Sequence, residues 1–133
     1  MKDRSKRFSF RAQNGQTMAE FALVLPLLAL LLFGVIQFGI AFNNYITLTD
    51  AVRAGARKGA VGRHLPDPEQ AVIDQVEDAA TDLNKTDLAV DVTSTWKSGE
   101  EVRVHASYPY RISLLGVVVK SGRMNSETTE RVE

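Results

Sequence analysis

Hydrophobic positions follow three different rhythms along the chain. From Phe21 to Phe42 they are almost continuous: 22 residues with no Lys, Arg, Asp or Glu, and Gln37 as the only strongly polar member. A helix of that length spans about 33 Å, enough for a hydrocarbon core of about 30 Å. A soluble core helix needs only one apolar face, so this block predicts a membrane-crossing helix. Beyond Asn43-Asn44-Tyr45 the rhythm becomes helical, through Ile46, Leu48, Val52 and Ala56. Ala51, Gly55 and Gly59 recur every fourth residue and make a smooth ridge against which the rest of the protein is expected to pack. One helix is therefore expected from about Thr17 to about Ala60. Pro26 lies inside it, either kinking the span or marking its first turns.

Gly62-Arg-His-Leu-Pro-Asp-Pro68 breaks that helix. Asp67-Pro68-Glu69-Gln70 then reads as a new helix start, with Asp67 as N-cap, Pro first and Gln three after the cap. Val72, Ile73, Val76, Ala80 and Leu83 give this helix an apolar face ending near Leu83. From Leu88 the period falls to two. Leu88, Val90 and Val92 alternate with polar residues, Lys97-Ser98-Gly99-Glu100 reads as a turn, and Val102, Val104, Ala106 and Tyr108 alternate again, which predicts a β-hairpin. Pro109 is expected to end the second strand or to place it at an edge. Ile112 to Val119 is apolar but too short to span, and reads as a short helix or loop on the membrane, or as a strand. Arg123 to Val132 alternates weakly, as a third, edge strand would. The fold class is α+β: a long N-terminal transmembrane helix, then a small head with one amphipathic helix and a short antiparallel sheet.

Net charge is zero, yet it is unevenly placed. Residues 1–15 hold Lys2, Arg4, Lys6, Arg7 and Arg11 against Asp3 alone, so the remainder is acidic. Basic residues before an apolar span stay on the cytoplasmic side, which puts the N-terminus inside and the C-terminal head outside. Beside a membrane span, this basic start does not argue for nucleic-acid binding. Residues 1–14 show no helical period. They resemble a secretory n-region, but the apolar run exceeds the usual h-region and Ala41-Phe-Asn-Asn44 is a poor cleavage site. The chain has no cysteine, so disulfide and thiolate chemistry are excluded.

Gly15 precedes the apolar run, and Glu20 stands one position before its first residue. Two readings are open. A glycine can be held extended by a protease at the membrane face, and a cut after Gly15 would leave the Gln16 amine one turn from the Glu20 carboxylate. That carboxylate is costly at a bilayer's lip unless paired. Alternatively, Gly15 starts the helix and Glu20 is favoured by its dipole.

The run Gly15-Gln-Thr-Met-Ala-Glu20-Phe21-Ala-Leu-Val-Leu-Pro26, followed by the apolar block and by Ala51-Val-Arg-Ala-Gly-Ala-Arg57, resembles a class III prepilin, specifically the TadE-like family of the tight-adherence (Flp/Tad) pilus system. The resemblance covers about residues 14–60 and weakens beyond. It implies a leader at 1–15, an anchor and extended helix at 16–60 and a periplasmic or extracellular head at 61–133. It implies cleavage between Gly15 and Gln16 by a prepilin peptidase, with Glu20, Phe21 and Pro26 serving processing and assembly. The implied role is a minor pilin or pseudopilin of the inner membrane, used in building a pilus for adhesion. The implied partners are that peptidase, other pilins or pseudopilins, an inner-membrane assembly platform and the lipid bilayer.

The remaining residues offer little chemistry. His64 and His105 lie in different elements without metal-ligand spacing. Asp74, Glu77, Asp78 and Asp82 lack the alternating geometry of a calcium loop and read as a solvated helix face. Asn84-Lys-Thr86 matches a glycosylation sequon that often arises by chance. No phosphate loop or nucleophile elbow is present, so no catalytic residue, cofactor or metal is assigned and the chain is read as a protease's substrate, not an enzyme. Two rival functions stay open: an uncleaved single-pass envelope protein whose head binds another partner, and a secreted binding module.

Overall fold

In a computed structural model, residues 10–133 are described, with side-chain surroundings given from Gly15 onward. The basic residues 1–9 of the expected leader lie outside them. Five elements follow in order: helix α1 (Phe10–Val61), helix α2 (Pro68–Ala79) and strands β1 (Ala89–Ser94), β2 (Glu101–Leu114) and β3 (Val117–Arg131). The α+β class is as expected. The chain divides into two compact units, Met1–Ile36 and Gln37–Glu133.

In the first unit the described residues are all helical. α1 begins at Phe10, not near Thr17, because Arg11, Ala12 and Gln13 are good helix formers that carry it back through Gly15. The absence of a helical period in residues 1–14 therefore misses residues 10–14. α1 also runs on through Pro26.

In the second unit α1's final turns supply half of a core. Leu48, Ala51, Val52 and Ala56 are fully buried and cluster with Val72 and Val76 of α2 and with Val102, Val104 and Ala106 of β2. The ridge meets the expected packing. A Cβ added at Gly55 would overlap the Val76 side chain, and one at Gly59 would come within 2.8 Å of Val102 Cγ2. Only glycine permits helices and sheet to approach this closely.

The Asp67 side chain accepts from the Gln70 N–H at 3.0 Å, giving α2 its N-cap. Gln70 does not complete a reciprocal capping box; its amide donates forward to Asp74 Oδ1 at 2.8 Å. α2 stops at Ala79, short of Leu83, because Thr81, Asp82 and Asn84 are weak helix formers. Leu83 is buried all the same, carried into the core by the turn that follows.

The sheet is antiparallel in the order β1-β2-β3. The expected first hairpin forms, with Val92 opposite Val104, and the expected edge strand is β3. Pro109 does not end β2. β1 pairs no further than Ser107, so at Pro109 the strand has one neighbour only, opposite Arg123, and a missing N–H is tolerated there. Of the readings open for Ile112 to Val119, the strand is the one that forms, as the closing part of a second hairpin. Its two-residue turn is Leu115-Gly116, with φ of 51° and 85°, the positive pair that matches strand twist. Beyond β3, Val132 is buried, and the Glu133 N–H caps the Ala60 carbonyl of α1 at 2.9 Å.

Candidate functional site

All five residues expected to serve processing and assembly, Gly15, Gln16, Glu20, Phe21 and Pro26, lie on α1 within the first unit, and all are exposed. Gln16 and Glu20 are four apart and so share a face; the Gln16 Nε2 donates to Glu20 Oε1 at 3.1 Å. A Cβ at Gly15 would meet nothing within 4 Å. Glu20 stands almost three turns after Phe10, whereas the helix dipole acts within about the first turn. The helix-start reading of Gly15 and Glu20 therefore does not describe this helix.

The surface beyond Glu20 is apolar on every side. Phe21 is 61% exposed and Leu23 80%, and none of the most apolar 18-residue stretch of the helix is buried within the molecule. By length and composition the helix can cross a membrane. Exposed hydrocarbon on this scale is unfavourable in water, at roughly 25 cal/mol per Å². It stands without cover unless lipid or other apolar helices supply it.

The head presents polar chemistry of another kind. Arg123 on β3 reaches across β2, donating to Ser107 Oγ at 2.9 Å and to the Ser107 carbonyl at 3.1 Å. It also reaches the Asp87 carbonyl at 3.4 Å. The Tyr108 hydroxyl accepts from the Asn84 N–H at 3.2 Å. These bonds tie the turn before β1 to the sheet, a clasp with no signal in the sequence because its members lie 16 to 36 residues apart. His105 faces Asp91 across the β1–β2 pair at 3.9 Å, and His64 accepts from the neighbouring Arg63 Nε at 3.0 Å. Of the acidic set, Asp74, Glu77 and Asp78 lie on α2 and Asp82 in the turn after it, with Asp78 paired to Lys85 at 3.2 Å. Among the described residues no three His, Cys, Asp or Glu stand together in a way that could hold a metal ion.

The apolar stretch and its flanks are also where a relationship shows. Residues 15–57 match the family model described as TadE-like protein. The match starts at Gly15 and ends at Arg57, so it takes in the exposed span and most of the small-residue ridge and leaves out α2 and the sheet. No curated protein and no solved structure matches the chain.

Proposed function

We propose that this chain, TadE-like over residues 15–57, is a membrane-anchored minor pilin, or pseudopilin, of a Tad/Flp-type pilus. On this reading a prepilin peptidase removes residues 1–15, the helix from Gln16 holds the subunit in the inner membrane, and residues 61–133 form a head outside. The apolar helices then bundle with those of other pilins on an inner-membrane assembly platform. The observation that carries it is that the family match begins at Gly15 and takes in an apolar stretch, 18 residues of which are left wholly unburied by the protein itself.

Cleavage would change the physics at Glu20. In the uncut helix the carboxylate is interior to α1 and holds only a neutral amide from Gln16. Once Gln16 is the first residue, its new ammonium sits one turn from Glu20, and the carboxylate lies just past the first turn of the helix instead of almost three turns in. The same ammonium on one subunit can instead meet Glu20 of another, where the lipid environment makes an unpaired acid costly. Phe21 lies next to that pair, and Pro26 frees a backbone carbonyl that neighbouring helices can satisfy.

An uncleaved anchor is the second reading, favoured by the continuity of α1 through the Gly15–Gln16 bond. A protease needs that bond unwound and extended. Gly15 lowers the cost of unwinding by about 1 kcal/mol relative to alanine. A Gly15→Leu variant separates the two. The pilin reading expects a membrane-bound chain with its leader retained and no pilus incorporation. Normal incorporation of the uncut variant would overturn it.

A further inference from the structure

β2 and β3 continue as a two-stranded ribbon after β1 has ended at its pairing with Ser107. Such a ribbon is marginal in water by itself, yet its tip carries apolar side chains into the open. Leu115 is 73% exposed, Val117 67% and Val119 62%. Contiguous exposed hydrocarbon marks a surface that something covers, and three observations identify the occupant.

The first is charge. Between Arg111 and Met124 there is no acidic residue, while Arg111 and Lys120 flank the apolar tip, both exposed. Neither makes an ion pair with any of the described residues. The second is direction, within residues 37–133. Gly59 of α1 lies against Val102 at the start of β2, while Phe38, Phe42 and Tyr45 share a groove with Tyr110, Ile112 and Lys120. β2 therefore runs back along the second unit's part of α1, from Gly59 toward Phe38. The lengths agree: ten strand residues from Val102 to Ile112 cover about 33 Å, and 21 helix residues from Gly59 to Phe38 about 32 Å. The third is two-sidedness. Leu114 and Val117 pair with each other, Val118 opposes Ser113 on the next rung, and Leu115 fills the turn, past a register shift at Ile112/Ser113. A docking partner covers one face of a ribbon, whereas a fluid apolar medium covers both.

We infer that the β2–β3 tip dips into the interface of the same bilayer that α1 crosses, with Arg111 and Lys120 reaching anionic lipid headgroups. This rests on the membrane-anchor reading of α1. It gives the head a second attachment to the membrane, holding the subunit against the bilayer before it enters a filament.

The test uses the full chain in phosphatidylcholine vesicles with and without phosphatidylglycerol. Because the chain has no cysteine, spin labels can be placed singly through Val118→Cys, Ser98→Cys and Leu31→Cys. The Val118 label is expected to be accessible to oxygen but protected from a water-soluble nickel complex, at a depth of about 5–10 Å, as for interfacial amphipathic elements. The Ser98 label, in the β1–β2 connection, is expected to be open to nickel. A nickel-accessible Val118 label beside a lipid-buried Leu31 label overturns the tip proposal alone; a nickel-accessible Leu31 label overturns the anchor reading and the tip with it. Spin–spin broadening at Val118 that fades on dilution with lipid means a second copy holds the tip, and also overturns the proposal. Combining Arg111→Glu with Lys120→Glu is expected to raise the water-exposed population of the tip about fivefold per residue in anionic vesicles only. An equal effect in both lipids overturns the headgroup assignment.

Discussion

Two stretches of one helix meet opposite fates. Between Phe21 and Ile36 α1 is apolar all round and buries nothing. Between Leu48 and Ala60 it is amphipathic and buries a seam of small and aliphatic residues under its own head. The first is built of large side chains, the second of Ala and Gly with Leu48 and Val52 between them. Large residues on every side suit a solvent of hydrocarbon, where no one face is favoured. Small residues on one side suit a neighbour at close range, here Val72, Val76 and Val102. Side-chain size and distribution, more than helix propensity, separate the part left for lipid and other helices from the part that completes a fold.

The largest effect is expected when charge enters the first stretch. Leu28→Lys together with Leu31→Lys is expected to cost about 3 kcal/mol per lysine in membrane insertion. The protein should move to the carbonate-extractable fraction, while the head's thermal transition stays where it was. In the second stretch, Leu48→Ala removes a fully buried side chain and is expected to destabilise the head by about 2–5 kcal/mol, read from denaturant unfolding with membrane association intact.

A smaller contrast uses one substitution at two glycines. Gly55→Ala forces a Cβ into the Val76 side chain. Overpacking of about 1–3 kcal/mol, set against about 1 kcal/mol gained by removing a helical glycine, leaves a net loss of up to about 2 kcal/mol in head stability. Gly39→Ala meets nothing within 4 Å and should leave the head's unfolding unchanged. Equal effects at both sites would mean that the seam is not set by close approach.

Much of this architecture is legible in the sequence, because it rests on local signals. The Phe21–Phe42 block declares its length and apolarity, the four-residue recurrence of Ala51, Gly55 and Gly59 declares a ridge, and Asp67-Pro68 declares a helix start. Alternation from Leu88 to Tyr108 declares the first hairpin. The second hairpin was obscured by two features. Pro109 reads as a strand terminator or as an edge position, and the edge reading holds only because β1 ends opposite Ser107, which is a tertiary fact. Leu115 at positive φ is unusual for a leucine, so Leu115-Gly116 lacks the Asn-Gly or Asp-Gly signature; Gly116 between apolar runs was the available clue. At the candidate site, the four-residue spacing of Gln16 and Glu20 was legible and their contact follows from it. The start of α1 at Phe10, which removes Glu20 from the helix terminus, was hidden by the basic composition around it. The Arg123–Ser107–Asp87 clasp depends on strand register across the sheet and has no local trace.

On the proposed reading, Gly15 and Gln16 are the two sides of a cut that turns an anchor, TadE-like over residues 15–57, into an assembly-competent subunit. Intact mass with N-terminal sequencing of the protein extracted from its native membrane decides it. A single species beginning at Gln16 with a free amine is expected. A membrane-embedded protein that still carries residues 1–15, or one that begins after Phe42, would contradict it.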